Sequence, residues 1–229
     1  MTLAEFEALA SSKLEKNDEE SREAFLRLLN DGLLVSIINN MMKSQSQLHE
    51  VANRSYWHKN GFLKVLLLDK RPKYSIRLHI WPDSPLQEGD VHNHPWNMSG
   101  LVLTGSYEWP IYTFEQVKEI TKFALYKCRY LEDYSGYSFH RVGSVILKEV
   151  KNSIMQEGEF FQFPKEKYHS AKKENSDPAD SIIITGTSES LTADVVSSRE
   201  ISCDKIMYNA PVKSSFLREK LSAFMGRNS

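Results

Sequence analysis

The stretch that decides the fold is His92-Asn93-His94-Pro95-Trp96-Asn97-Met98-Ser99-Gly100-Leu101-Val102-Leu103-Thr104-Gly105. Its two histidines stand two residues apart, and on a β-strand such residues point to the same face. Both imidazoles could therefore supply ligands to one iron, zinc, copper or nickel ion. The pair alone does not distinguish a metal site from two hydrogen-bonding histidines, because such pairs also occur by chance.

A second informative stretch also ends on a histidine, Gly158-Glu159-Phe160-Phe161-Gln162-Phe163-Pro164-Lys165-Glu166-Lys167-Tyr168-His169. Around both stretches, apolar or alternating runs typical of β-strands are separated by turn residues. The strand candidates are 62–68, 74–81, 100–109, 120–130, 138–150, 159–163 and 181–187. Many short strands with regular turns predict a mainly β fold, either a sandwich or a barrel.

The two ends of the chain predict helices instead. Thr2-Leu3-Ala4-Glu5 is a candidate capping box. Apolar residues from Ala24 to Met42 recur at helical spacing, so we expect one long amphipathic helix there. Its apolar stripe has to be buried, against the barrel, in a dimer contact or over the barrel mouth. A shorter amphipathic helix is expected from Ser215 to about Met225.

Composition and these boundaries limit the class of protein. We expect an N-terminal helical segment at 1–55, a β-barrel domain at 56–210 and a C-terminal helical tail at 211–229. A formal net charge of −1 argues against a nucleic-acid binder, and the lack of a long apolar stretch argues against a membrane partner. Two cysteines are too few for a disulfide framework, which favours a cytoplasmic protein. We expect it to be a monomer or a homodimer.

The two histidine stretches together resemble the motifs of the cupin superfamily. The first cupin motif runs HxH, three or four residues, Glu, six residues, Gly; the second runs Gly, five residues, Pro, x, Gly, two residues, His. The matching positions are His92, His94, Gly105, Gly158, Pro164 and His169, and the resemblance covers about residues 60 to 190. It implies an antiparallel β-barrel of the jelly-roll type, with a metal held inside by His92, His94 and His169.

The chain departs from these motifs where the first expects a glutamate. Met98 stands there, and a thioether is a weak, uncharged ligand that more often packs. In the second motif, Glu166 stands where the inner glycine is expected, and Lys173 stands where an asparagine is usual after the histidine. An acidic ligand could still come from elsewhere, with Glu108 as the nearest candidate.

Losing the glutamate leaves a neutral site of three histidines with open positions on the metal. This arrangement is that of the cysteine dioxygenase-like thiol dioxygenases. The layout of leading helices, a strand pair ending in Trp81 and then HxH is loosely similar to theirs. The resemblance implies Fe(II), with Zn(II), Mn(II) or Ni(II) as alternatives.

Three further residues are candidates for catalysis. Arg77 and His79 alternate with apolar residues, so they share one face of a strand. If that face lines the barrel, Arg77 could clamp a substrate carboxylate and His79 could act as acid, base or support for a ligand. The alternative, favoured for Arg77 and left open for His79, is a solvent-facing side of an edge strand. Tyr107 could orient substrate or oxygen, or simply pack.

The remaining histidines and one cysteine receive simpler interpretations. His140 lies in a strand-like run and is a candidate for a fourth polar group at the site, whereas His49 and His58 precede the barrel and are expected at the surface or in packing. Cys128 is expected to be a small buried residue.

Three functions are compatible with these residues. The first is a non-haem Fe(II) oxygenase that takes molecular oxygen and a small chelating substrate such as an amino acid or a thiol. The second is an enzyme that uses zinc or another divalent metal for isomerisation, condensation or hydrolysis. The third is a non-catalytic, ligand-binding cupin, which the full set of three histidines disfavours.

Overall fold

A computed structural model describes residues 1–84, 89–173 and 176–228. Its helices are α1 (Leu3–Lys13), α2 (Glu19–Leu28), α3 (Leu34–Lys43), α4 (Gln45–Arg54) and α5 (Ser214–Arg227), with a kinked connection at Leu29–Leu33 between α2 and α3. None of the described helices combines the length and the apolar character needed to cross a membrane.

Local sequence signals explain where these helices begin and break. At α1 the Glu5 N–H donates to Thr2 Oγ1 (3.2 Å) and the Thr2 N–H to Glu5 Oε2 (2.8 Å), which confirms the capping box. The single long helix expected from Ala24 to Met42 is wrong. The chain leaves helical geometry at Asp31 and Gly32, where Gly32 takes a φ of 99° that an L side chain rarely adopts.

In the described part of the chain, thirteen strands form two antiparallel sheets. They are β1 (Tyr56–Trp57), β2 (Leu63–Lys70), β3 (Tyr74–Ile80), β4 (Val91–His92), β5 (Met98–Thr104), β6 (Ser106–Val117), β7 (Phe123–Tyr130), β8 (Gly136–Gln156), β9 (Phe160–Phe163), β10 (Tyr168–His169), β11 (Asp180–Thr185), β12 (Thr192–Ser197) and β13 (Met207–Tyr208). The strand orders are β1-β2-β3-β11-β5-β9 and β13-β8-β6-β10-β4-β12-β7, and β8 also pairs with β7. This architecture confirms the mainly β, cupin-type fold with helices at both ends.

The six-stranded sheet has a core on each of its faces. Apolar side chains of one face, such as Ile76 and Leu78, pack against helices α1 to α5. The opposite face meets the seven-stranded sheet in an aromatic cluster that includes Trp81, Phe161 and, from β6, Trp109. The helices therefore cover the outside of the barrel, and the aromatic cluster fills one part of its inside.

Strand β3 is central rather than peripheral, because β2 and β11 pair with its two edges. Arg77 and His79 project from the face opposite Ile76 and Leu78, and both line a cavity between the sheets. The solvent-facing edge strand favoured for Arg77 is therefore wrong. The same alternation that suggested an exposed polar face belongs here to a strand whose polar side faces the barrel interior.

Gly105 shows why one motif position requires glycine. It links β5 to β6 with a φ of 71°, and a Cβ at this position would lie 2.0 Å from the Pro178 carbonyl oxygen. Both the backbone conformation and the close approach exclude a side chain. The turn reverses the chain from β5 into β6, which begins with Ser106 and carries Tyr107.

Candidate metal centre

The fold brings the three motif histidines together. His92 on β4 is directly opposite His169 on β10 in the antiparallel pairing, and His94 lies in the loop just after β4. Their ring centroids are 4.6 Å apart for His92 and His169, 5.1 Å for His94 and His169, and 4.9 Å for His92 and His94. One ring nitrogen from each lies within 4.8 Å of the other two, so the three could hold one metal ion.

Backbone contacts set the orientation of the first two histidines. Asn93, between them, donates its N–H to the Asp194 carbonyl (3.2 Å) and accepts the Asp194 N–H at Oδ1 (2.7 Å), which ties the loop to β12. His92 Nδ1 donates to the Asp90 carbonyl at 2.8 Å, because a carbonyl oxygen can only accept. This hydrogen bond leaves Nε2 of His92 free to bind a metal.

An apolar shell surrounds the other two imidazoles. The His169 ring lies 4.2 Å from the Phe163 ring and 5.1 Å from that of Trp109, and His94 stacks on Trp96 at 5.8 Å. The buried Nδ1 atoms of His94 and His169 have no hydrogen-bond partner among the described residues. Buried polar atoms are almost always satisfied, so two unpartnered imidazole nitrogens within this cluster of histidines fit a metal ligand set.

Burial keeps these imidazoles neutral. It lowers the pKa of His92 to about 4 and the pKa values of His94 and His169 well below the ordinary value. Neutral imidazole is the form that binds a metal, so all three histidines can act as ligands at pH 7.

No carboxylate among the described residues joins this group. Met98, in the position of the motif glutamate, is buried and lines the cavity beside the histidines. Glu108 is held elsewhere, since its carboxylate accepts a hydrogen bond from Asn152 Nδ2 (2.6 Å) and lies 3.8 Å from Lys172 Nζ. The ligand set that the described residues offer is therefore neutral.

The three catalytic candidates line the same cavity, whose volume of about 550 Å³ includes space open to solvent. Arg77 donates from Nε to Ser75 Oγ (2.7 Å), and its guanidinium lies 4.6 Å from the Trp96 ring centre. The buried Nε2 of His79 has no hydrogen-bond partner among the described residues. Burial raises the pKa of Tyr107, so its hydroxyl stays protonated.

A second cavity, of about 670 Å³ including space open to solvent, adjoins the first. We call it the aromatic chamber because six Tyr, Trp and Phe side chains line it, namely Tyr56, Trp96, Tyr130, Tyr134, Tyr137 and Phe139. Five residues line both cavities and mark their junction, namely His58, Lys64, Arg77, His92 and His94.

Two of these junction residues were missed by the sequence interpretation. His58, expected at the surface or in packing, stacks on Phe62 at 4.7 Å and accepts the Asn60 N–H at Nδ1 (3.3 Å). Lys64 lies in the apolar run of β2, and a lysine inside such a run was the one available signal.

The remaining histidines and Cys128 lie outside the three-histidine cluster. His140 is exposed, with Nδ1 3.8 Å from an oxygen of Asp204, so it does not reach the site. His49 is exposed as expected. Cys128 is buried as expected, but it lines the aromatic chamber.

No model of a known protein family matches this sequence, and no curated protein matches it. The solved structures that match include cupin and double-stranded β-helix proteins. The cupin domain of Cnp3 from Schizosaccharomyces pombe is 14% identical, with a TM-score of 0.35 over 55% of this chain and 64% of that chain. An RmlC-like cupin from Shewanella frigidimarina is 12% identical, with a TM-score of 0.35 over 59% of this chain and 84% of that chain.

Hydroquinone 1,2-dioxygenase from a Sphingomonas species is 11% identical, with a TM-score of 0.31 over 55% of this chain and 66% of that chain. This chain thus spans slightly less than two thirds of the length of the Cnp3 domain and of the dioxygenase. At such TM-scores the cupin fold is assigned from this chain's own sheets and motif residues. The looser resemblance to the thiol dioxygenases stays a prediction.

Proposed function

We propose that this chain is a metal-dependent cupin enzyme, and specifically a non-haem Fe(II) oxygenase acting on a small chelating substrate such as an amino acid or a thiol. The convergence of His92, His94 and His169 beside a cavity carries this proposal. A structural barrel has no need to bring three neutral imidazoles together, two of them with an unpartnered buried nitrogen.

Three histidines would hold the metal through ring nitrogens. When bound, an Fe(II) ion with three neutral ligands would keep its positive charge and offer open positions at which substrate and oxygen meet. The same ligands also accept Zn(II), Mn(II) or Ni(II), so the identity of the metal is part of the test.

Residues of the chain would position the substrate and protect the site. The protonated hydroxyl of Tyr107 can donate a hydrogen bond, and the neutral ring of His79 can donate or accept one. Arg77 supplies a positive charge at the junction of the two cavities. Phe163, Trp109 and neighbouring aromatic side chains exclude water from one side of the metal centre.

We also propose that the protein acts in the cytoplasm, as a monomer or homodimer, on small molecules. The thiols of Cys128 and Cys203 are both free, which suits a reducing compartment.

The test is anaerobic purification followed by metal analysis and oxygen-uptake measurements with a panel of thiols and amino acids. We expect about one iron per chain and substrate-dependent oxygen consumption. The His92→Ala variant should lose both, whereas His140→Ala, which changes an exposed histidine, should retain both. A protein that contains zinc and consumes no oxygen with any member of the panel would contradict the oxygenase proposal.

A further inference from the structure

The walls of the two cavities carry an unbalanced charge. Four cationic side chains line them, namely Lys59, Lys64, Arg71 and Arg77. No carboxylate is present among the described lining residues of either cavity. A divalent metal with neutral ligands would add further positive charge at the same place.

Two of the four cations are balanced by carboxylates behind the cavity wall. Lys59 Nζ lies 3.4 Å from Asp90 Oδ2, and Arg71 Nε donates to Asp69 Oδ1 at 2.6 Å. A second hydrogen bond joins the Arg71 guanidinium to the other oxygen of Asp69. These two cations are therefore parts of existing ion pairs.

Lys64 and Arg77 are different, because neither has an ion pair with a carboxylate in the described part of the chain. Lys64 is 9% exposed and Arg77 is 4% exposed. The Lys64 ammonium lies over the Tyr56 ring at 5.3 Å. Arg77 uses Nε on Ser75, and its two terminal nitrogens make no hydrogen bond with a described residue. Two buried cations with unused donors thus stand on the neighbouring strands β2 and β3 and line the same two cavities.

Such an arrangement is unfavourable without an anion. Burial, and after it the charge of Arg77, lowers the pKa of Lys64 well below its ordinary value, and burial lowers the pKa of Arg77 to about 10. Isolated charges away from water are costly unless they are paired. An oxyanion between the two side chains would offset this cost and accept hydrogen bonds from both.

We infer that Lys64 and Arg77 form an anion-binding subsite at the junction of the two cavities, and that it recognises a carboxylate or phosphate group on an aromatic substrate. Tyr56, Tyr130 and Tyr134 in the aromatic chamber offer surfaces on which a flat body can stack. Calling this ligand a substrate rests on the proposed function, since the same molecule would have to reach the metal. The anion-binding property itself does not depend on a metal.

Matched small molecules test the subsite in the full-length protein after treatment with EDTA. Benzoate carries a carboxylate, phenyl phosphate carries a phosphate, and benzamide is a neutral molecule of nearly the same shape as benzoate. Isothermal titration calorimetry should show at least tenfold tighter binding of one or both acids than of benzamide. The tighter acid identifies the oxyanion. Equal affinities for all three molecules would overturn the inference without any variant.

Substitutions then locate the binding. Lys64→Met should weaken binding of the preferred acid about tenfold and leave benzamide unchanged, whereas Lys64→Arg should keep most of the affinity. Lys59→Met is the matched control, because Lys59 lines the same chamber but already pairs with Asp90, and it should change the affinity less than threefold. A folded Lys64→Met protein that binds the acid as tightly as the wild type would overturn the inference.

The binding experiment can fail or succeed independently of the metal and oxygen-uptake test of the proposed function. Acid binding that survives EDTA and depends on Lys64 supports the subsite even if metal analysis finds no iron. Acid binding that disappears with EDTA and ignores Lys64→Met would place the anion on a metal, which contradicts the subsite while leaving the metal centre intact.

Discussion

At the scale of single residues, Tyr107 shows how burial can prepare a side chain for one role. The ring packs against Trp81 at 5.2 Å and against Trp109 at 5.7 Å, so it is held between neighbours. Burial raises the pKa of its hydroxyl, which therefore remains a hydrogen-bond donor through the neutral range. A donor fixed in this way can orient a substrate without itself losing a proton.

We predict that Tyr107→Phe lowers the rate of substrate-dependent oxygen uptake at least tenfold and leaves the metal content unchanged. The substitution removes the hydroxyl but keeps the ring, so packing against Trp81 should survive. Tyr208→Phe, at an exposed position, serves as the control and should not change the rate. Oxygen-electrode rates and metal analysis of the same samples provide the measurement. An unchanged rate in a folded Tyr107→Phe protein would assign Tyr107 to packing.

The site residues differ in how far the sequence could predict them. His92, His94 and His169 were predictable because fixed spacing relates them to Gly105, Gly158 and Pro164. Lys64 and His58 were not, since no spacing relates them to the motifs. The pairing of Lys64 with His79 across β2 and β3 brings Lys64 to the cavity, and such pairing is a property of the sheet.

At the scale of elements, Gly32 decides where one helix ends and the next begins. The apolar spacing from Ala24 to Met42 continues through the break, which is why periodicity alone predicted one helix. The sequence pattern likewise did not predict strand β12, because its local residues do not show what it pairs with. Thr192–Ser197 is short and lies among polar residues, and its pairing with β4 and β7 establishes it as a strand.

We expect Gly32→Ala to lower the free energy of unfolding by about 1 kcal/mol. Nothing lies within 4 Å of the added Cβ, so the cost comes from the φ of +99° alone. Gly226→Ala is the matched control, because Gly226 lies in α5 with equally open space and no positive φ. That substitution should be neutral or slightly stabilising. Urea unfolding measures both, and equal effects of the two substitutions would argue against a break at Gly32.

The C-terminal helix is joined to the barrel by a buried ion pair. Arg227 Nη2 on α5 donates to Asp180 Oδ2 on β11 at 2.8 Å, and the Asp180 carboxylate is fully buried. Burial raises the pKa of Asp180 to about 6 in spite of Arg227. The folded protein therefore holds a proton on Asp180 more tightly than the unfolded chain does. The stability that this contributes is fully present below the pKa of Asp180 in the unfolded chain and is lost as pH rises through about 6.

Arg227→Met should consequently destabilise the protein more at pH 8 than at pH 5. At pH 8 the variant buries an ionised, unpaired carboxylate at a cost of about 3 kcal/mol, whereas at pH 5 the carboxyl is largely protonated. Lys220→Met, in the same helix but in an exposed pair with Glu219, should have little effect at either pH. Melting temperatures at the two pH values provide the comparison. An equal loss at both would show that Asp180 is not the residue responsible.

At the scale of the whole molecule, charge is distributed unevenly. The chain has a formal net charge of −1, yet four cations and no described carboxylate line the two connected cavities. The overall charge therefore argued against a nucleic-acid binder but could not reveal a local attraction for small anions. The division into a helical segment at 1–55, a barrel domain at 56–210 and a helical tail at 211–229 stays a prediction.

The three-histidine metal centre is the central claim, and metal stoichiometry tests it most directly. Wild-type protein, His169→Ala and His140→Ala should be purified identically without oxygen, dialysed and analysed for bound metal. We predict about one divalent metal per chain in the wild type and in His140→Ala, and almost none in His169→Ala. A folded His169→Ala protein that keeps stoichiometric metal, or a wild type that binds none when supplied with Fe(II) or Zn(II), would contradict it.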